Sequence, residues 1–315
     1  MLSRTADHLY WMSRYIERAE NLARMLQVNV RSSLLPQHAD EADRGWAGTL
    51  AIIGQLEAYR ERGGMVAPDR VVRFLAFDDS NPGSIVQNLY LARENARAVR
   101  GALTSEQWET INATWLELAG RGRGELSTDG LIEFLEWVKF RSHLVRGVTL
   151  GTMLRDEGFD FTRIGTFLER ADNTARILDV QFRMLAPDGI GASTAVDYYR
   201  YSALLFSVSA FEIYRKVYRD RITPERVAEL LVLRQDMPRS LHRCVTEIEL
   251  HLRAVANAQS AETLRRAGEL QALLRYGRID LIVADGFHGF LADFLDRVGD
   301  LGRRIARDFL GSAVN

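Results

Sequence analysis

The sequence predicts an all-α protein, a helical bundle built from two diverged copies of one unit. Three observations carry this. Apolar residues recur with the 3.6-residue period of a helix over most of the chain, and the strict alternation of a half-buried strand is almost nowhere seen. Only six prolines interrupt 315 residues, and long stretches hold none, as long helices require. Finally, the segment Glu17-Arg18-Ala19-Glu20-Asn21-Leu22-Ala23-Arg24-Met25-Leu26-Gln27-Val28 returns 152 residues later as Glu169-Arg170-Ala171-Asp172-Asn173-Thr174-Ala175-Arg176-Ile177-Leu178-Asp179-Val180, with eight of twelve positions identical.

Taken in order, the pattern predicts helices over residues 3–32 and 41–60 and a short one from Pro68. Asn81-Pro82 reads as an N-cap with proline at the first helical position, opening a helix to about residue 100. Thr104-Ser105-Glu106-Gln107 has the form of a capping box. Its helix ends in Gly120-Arg121-Gly122-Arg123-Gly124, read as a connector because a phosphate loop would follow a strand. Further helices are expected over 130–154, 161–185, 194–219, 224–233, 238–256, 261–274 and 279–309.

Shorter matches follow the long one. Tyr59-Arg60 returns as Tyr214-Arg215, Pro68-Asp69-Arg70-Val71 as Pro224-Glu225-Arg226-Val227, and Pro82-Gly83-Ser84 as Pro238-Arg239-Ser240, at offsets of 155 to 156. Collinear matches with a slowly drifting offset are the trace of a duplication. Two copies are too few for a solenoid, so the expectation is one domain over 1–315, made of repeats at about 1–150 and 153–315 that share a core.

Composition narrows the function. With 41 basic and 42 acidic side chains, the chain lacks the basic excess of a nucleic-acid binder. The single cysteine, Cys244, rules out an intrachain disulfide and a cysteine-based zinc site and reads as a buried structural thiol. The longest apolar run, residues 201–211, is well short of the ~20 needed to span a bilayer. Met1-Leu2-Ser3-Arg4 leads straight into a charged amphipathic segment without the features of an export signal. A cytoplasmic protein that binds neither membrane nor nucleic acid is expected.

One helical face concentrates polar side chains. Tyr10, Arg14, Glu17, Asn21 and Arg24 fall within about a quarter of the circumference at 3.6 residues per turn. Glu169, Asn173 and Arg176 keep the same spacing in the second copy, while Ala19, Ala23, Ala171 and Ala175 lie on another face where a helix can approach closely. Three readings fit the stripe: a solvated face, a buried structural network, and a binding or catalytic site. The return of Glu, Asn and Arg among neighbours that have drifted favours a constrained role. Arginines and asparagines suit a substrate bearing carboxylates, phosphates or amides, and Glu17 or Glu169 would orient an amine or act as a general base. A di-metal carboxylate centre would need Glu-x-x-His pairs. Glu17 is followed at that spacing by Glu20, and Glu169 by Asp172, so no metal is expected. Arg93, Asn95 and Arg97, in an arginine-dense stretch, either line the same cleft or form a salt-bridged surface. Asp78 and Asp79 read as a turn.

These residues resemble the alpha-E family, bacterial helical proteins with a Glu-Arg motif. Leu2-Ser3-Arg4-Thr5-Ala6 running to Tyr15-Ile16-Glu17-Arg18-Ala19-Glu20-Asn21 is similar to the family's opening. Phe74-Leu75-Ala76-Phe77-Asp78, with Asn81-Pro82 and the stretch 92–100, resembles its middle block. Phe167-Leu168-Glu169-Arg170-Ala171-Asp172 resembles the second Glu-Arg motif, which adds Arg18 and Arg170 to the candidate substrate-binding residues. Thr166 stands where members often carry the arginine that matches Arg14, which puts the second half-site in doubt. The resemblance implies work alongside an ATP-grasp ligase, often with a transglutaminase-like protein, in peptide synthesis or modification. The chain has no nucleotide signature of its own, so ATP and magnesium would be handled by the ligase. Two alternatives stay open: a non-catalytic helical interaction module with a structural polar network, and a metal-dependent carboxylate-bundle enzyme.

Overall fold

The computed structural model describes residues 1–34, 39–63, 65–120, 127–185 and 195–311, and among these there is no strand. The chain forms two compact units, Met1–Thr166 and Phe167–Asn315. No helix among the described residues is long and apolar enough to cross a membrane.

In the first unit, helix α1 (Ser3–Ser33) is the central element. It packs against α5 (Ile85–Ala98) on one side and α7 (Thr128–Thr152) on the other, and α6 (Ser105–Gly120) packs on both of those. Leu9, Leu22, Ala19, Ala23 and Leu26 of α1, with Ala92 and Ala96 of α5, are essentially inaccessible. Short helices α2 (Ala39–Ile52), α3 (Leu56–Glu61) and α4 (Pro68–Val72) lie between α1 and α5 in the chain, and a π-helical turn, Arg73–Phe77, extends α4. The long helix α8 (Glu157–Leu185) starts in the first unit and continues into the second. Gly165 lets α8 come against α1: a Cβ there would sit 2.3 Å from Ser13 Oγ and 2.4 Å from the Tyr10 carbonyl oxygen. A backbone contact of that kind cannot swing aside, so only glycine fits.

The second unit adds α9 (Ala195–Ser207), α10 (Phe211–Tyr218), α11 (Pro224–Val232), α12 (Leu241–Ala254), α13 (Ala261–Arg275), α14 (Ile279–Ala284) and α15 (Phe287–Ile305), the last extended by a π-helical turn. Helix α13 packs on α12 and α15 around Leu270, Leu274, Leu291, Phe294 and Leu301, all buried. Cys244 is buried within α12.

Two side-chain–backbone hydrogen bonds recur at offsets of 155 to 156. The Tyr59 hydroxyl donates to the Met65 carbonyl at 3.1 Å and the Tyr214 hydroxyl to that of Arg221 at 2.9 Å. Ser84 Oγ accepts from the Gln87 amide at 3.2 Å, and Ser240 Oγ from the Arg243 amide at 3.0 Å.

Where the structure departs from the sequence pattern, the cause is local. The helix expected over 41–60 breaks after Ile52, where Gly54 takes φ +70°. The one expected over 194–219 breaks 155 residues later, where Ser209 takes φ +54°. The last long helix breaks at Gly286, φ +109°. Left-handed residues end a right-handed helix whatever the apolar periodicity around them. Helices α5 and α12 begin three to four residues after Asn81 and Pro238, because Ser84 and Ser240 are the side chains that cap them. The capping box is present: Thr104 Oγ1 accepts from the Gln107 amide at 3.2 Å while Gln107 Oε1 accepts from the Thr104 amide at 2.9 Å. Residues 121–124 of the glycine-arginine connector lie outside the described residues.

Candidate functional site

The polar stripe of α1 is not a solvated face. Glu17 is 1% exposed, Glu20 is fully buried, and Tyr10 and Asn21 are buried with them. The sequence stripe puts Glu17 among residues of its own helix, but its cationic partner comes from α7. Arg146 Nη2 donates to Glu17 Oε2 at 3.1 Å and also bonds Glu20 Oε2. Arg24 grips Glu20 Oε1 through Nε at 3.0 Å and Nη2 at 2.8 Å, and its Nη2 lies 2.9 Å from His143 Nε2. Glu20, which the candidate residues leave out, is therefore the hub of the network. The i, i+4 pairs Glu20–Arg24 and Asp172–Arg176 were the signal for it in the sequence. Nothing in the local sequence points to Arg146, which lies 126 residues from Glu20 and meets it only because α1 and α7 pack.

The remaining α1 candidates are held by aromatic rings. The Arg14 guanidinium lies 4.8 Å from the Trp11 ring centre and donates to the Tyr10 hydroxyl at 3.0 Å. Arg18 lies 5.7 Å from the Tyr15 ring.

Glu17 and Arg146 border a cavity of about 30 Å³ that Ser13, Ser142, Thr149, Thr162 and Thr166 also line. All five hydroxyls donate to helix carbonyls, those of Tyr10, Ile16, Val145, Gly158 and Thr162 respectively. With their protons so committed, the hydroxyl oxygens can only accept from a guest. Alongside the Glu17 carboxylate they give the recess an acceptor side, while the Arg146 and Arg163 guanidiniums line it as donors and Thr149 Oγ1 already accepts from Gln107 Nε2 at 3.2 Å.

The arginine-dense stretch of α5 faces other partners. Arg93 Nε donates to Asn112 Oδ1 on α6 at 3.2 Å, and Arg93 and Arg97 both bond Glu94. Burial raises the Glu94 pKa, but hydrogen bonds from Arg93 and Arg97 outweigh it and leave the carboxyl below its ordinary value. Asn95 donates to the Leu91 carbonyl at 2.8 Å and meets His8 Nδ1 at 2.9 Å. Of the two readings offered for this stretch, a salt-bridged surface describes Arg93, Glu94 and Arg97. Asp78 accepts from the amide and hydroxyl of Ser80, which is the turn expected.

In the second unit Glu169, Arg170 and Asn173 are all buried. The Arg170 guanidinium lies 5.1 Å from the Phe167 ring and donates to the Pro238 carbonyl at 3.4 Å, and Thr174 Oγ1 donates to that of Arg239 at 3.1 Å. The motif arginine of this unit thus holds the turn that leads into α12. Arg176 bonds Asp172 at 2.8 Å, with both side chains partly exposed. Among the described residues no group of three or more His, Cys, Asp and Glu side chains gathers as a metal ion would need.

Fold and site together define an all-helical protein in which each unit carries a Glu-Arg motif on a long helix, with the glutamate buried. The chain belongs to the alpha-E family, described as a predicted alpha-helical domain with a conserved ER motif, which residues 1–310 match. It is also similar to uncharacterized proteins of Mycobacterium bovis and of two Mycobacterium tuberculosis strains, at 24% identity over 312 residues in each case. The match covers 93% of this chain and 35% of each relative, so the chain spans about a third of their length. No solved structure matches it.

Proposed function

We propose that this alpha-E protein works with an ATP-grasp ligase in the synthesis or modification of a small peptide, holding the amine-bearing substrate at its buried motif glutamates. The supporting observation is the recess at Glu17, where a buried carboxylate and several hydroxyl oxygens, beside the Arg146 and Arg163 guanidiniums, border a space of about 30 Å³. An acyl phosphate made by the ligase would need such an amine oriented for attack. The ligase would supply ATP and magnesium, and a transglutaminase-like protein would complete the system in the cytoplasm. In the mycobacterial relatives about two thirds of the chain lies outside the match, which fits a domain that works beside others.

The test is reconstitution with an ATP-grasp ligase from the same organism, product being followed by mass spectrometry. Glu17→Gln and Glu169→Gln are nearly isosteric and remove only charge. Loss of a general base lowers turnover by at least ~10²-fold, with melting close to the parent's. A pair of variants that melt like the parent and still make product would sink this reading. A second reading has its own support: Arg146 bonds both Glu17 and Glu20, as a structural network of an interaction module would require. In that case Glu17→Gln lowers the melting temperature, and product formation falls only in proportion to the folded fraction.

A further inference from the structure

We propose that the hollow at the entry to α12 is a binding site for a free amino acid or dipeptide, separate from the motif glutamates. The hollow has a volume of about 440 Å³ and is lined by Arg234, Gln235, Asp236 and Arg243. It is a shallow depression open to solvent rather than an enclosed cavity, so a ligand there would be held by its charged ends. Arg234 gives Asp236 two parallel hydrogen bonds, through Nε at 2.9 Å and Nη2 at 2.5 Å, leaving its second terminal nitrogen for a ligand. Arg243 bonds Glu247 through Nη2, so the rest of its planar fork is available. Two guanidinium edges match the geometry of a carboxylate. Asp236 is held below the usual carboxylate range by the hydrogen bond from Arg234, so it is ionised at neutral pH and able to accept from an ammonium. Gln235 is exposed between them and supplies a neutral donor and acceptor that suit a peptide amide.

The backbone beneath the lining side chains is held by side-chain hydrogen bonds. Ser240 Oγ donates to the Arg234 carbonyl at 2.5 Å, and His242 Nδ1 meets the Leu233 carbonyl at 2.8 Å. From α8, Arg170 and Thr174 hold the Pro238 and Arg239 carbonyls at the end of the turn. Pre-organisation of this kind lowers the ordering cost of binding. The turn 156 residues earlier in the chain is bonded differently. There Gln87 stands at the position of Arg243, and its amide donates to the Asp79 carbonyl at 2.7 Å. At position 243 the longer arginine turns toward Glu247, and the hollow stays open.

Titration of the full-length protein with glycylglycine, followed by NMR of the Gln235 side-chain amide and the arginine Nε resonances, tests the site. Saturable shifts are expected for glycylglycine. N-acetylglycine, which lacks the ammonium, and glycinamide, which lacks the carboxylate, should each bind at least about tenfold more weakly. Arg243→Gln, which installs the residue of the first unit, should weaken glycylglycine at least about tenfold, and Asp236→Ser should erase the preference over N-acetylglycine. Both positions are partly exposed, so circular dichroism is expected to be unchanged. The absence of saturable shifts in the parent protein would overturn the proposal. So would undiminished binding by Arg243→Gln, or inorganic phosphate binding as well as glycylglycine. Because no ligase is present, failure here leaves the reading of Glu17 and Glu169 standing, and failure of that reading leaves this site standing.

Discussion

The turns that lead into α5 and α12 lie 156 residues apart in the chain and each ends in a capping serine, but they are held by different chemistry. Before α5, Asn81 is buried and fully bonded: its amide donates to the Phe74 carbonyl at 2.9 Å and to Gln55 Oε1 at 3.0 Å, and its oxygen accepts from Gln55 and from the Gly83 amide. Before α12, a buried Met237 fills that place and the turn is held from outside, by Arg170, Thr174 and His242. Asp78, which accepts from Ser80, is matched by Arg234, which donates to Asp236, so the direction of the hydrogen bond within the turn is reversed. A scaffold can thus keep a turn's backbone while exchanging internal amide bonds for clamps from a neighbouring helix. That exchange frees the turn's outer side chains to line a hollow. The motif helices differ in the same way, with a buried network at Glu20 in the first unit and a partly exposed pair at Asp172 in the second.

The largest effect that separates the units is expected at these acids. Glu20→Gln leaves Arg24 and Arg146 facing a neutral amide in a buried setting and should cost about 3–5 kcal/mol. Asp172→Asn breaks a pair open to solvent and should cost under about 1 kcal/mol. Equal losses in urea unfolding would abolish the distinction. Next in size, Asn81→Met imposes the second unit's residue on a turn built for an amide. With the Phe74 carbonyl, the Gly83 amide and Gln55 deprived of partners, a loss of about 2–3 kcal/mol is expected. The reciprocal Met237→Asn should also destabilise, by about 1–3 kcal/mol, since it buries an amide where an apolar side chain packed. A neutral result in both directions would show that the two turns are interchangeable.

A smaller contrast lies at the matched helix breaks. Ser209→Gly relieves a left-handed residue and should stabilise by up to ~1 kcal/mol, whereas Gly54→Ser should cost about as much. The smallest signal is electrostatic. Because Arg93 and Arg97 hold the Glu94 carboxyl below its ordinary value, that group contributes stability above its unfolded pKa, and the contribution is lost as pH falls through the folded one. An NMR titration should place Glu94 low in the parent and higher in Arg97→Ala. A carboxyl that titrates identically in both would remove Arg97 from the cluster.

Much of this was legible in the sequence because helices announce themselves locally. The 3.6-residue period, the capping box at Thr104 and the proline at the start of α4 are written within a few residues of where they act. The repeat of Glu, Asn and Arg likewise sets α1 and α8 apart as the helices that carry the motif. Breaks at Gly54, Ser209 and Gly286 were missed because apolar periodicity runs through them, and a left-handed φ leaves no trace in spacing. Ser209 is the hardest case, since nothing in a serine advertises that conformation.

The sequence by itself determined the fold class, most helix positions and the identity of the motif residues, since each depends on interactions within a turn or two of helix. Only tertiary structure decided what those residues touch. It buried Glu17 and Glu20 against Arg146, turned Arg93 and Arg97 toward Glu94, put Arg170 on the Pro238 carbonyl, and opened a hollow between Arg234 and Arg243. Each of these pairs residues from different turns or helices, or chooses among rotamers of long side chains. Packing settles such choices, and the linear pattern of a chain does not encode them within any short window.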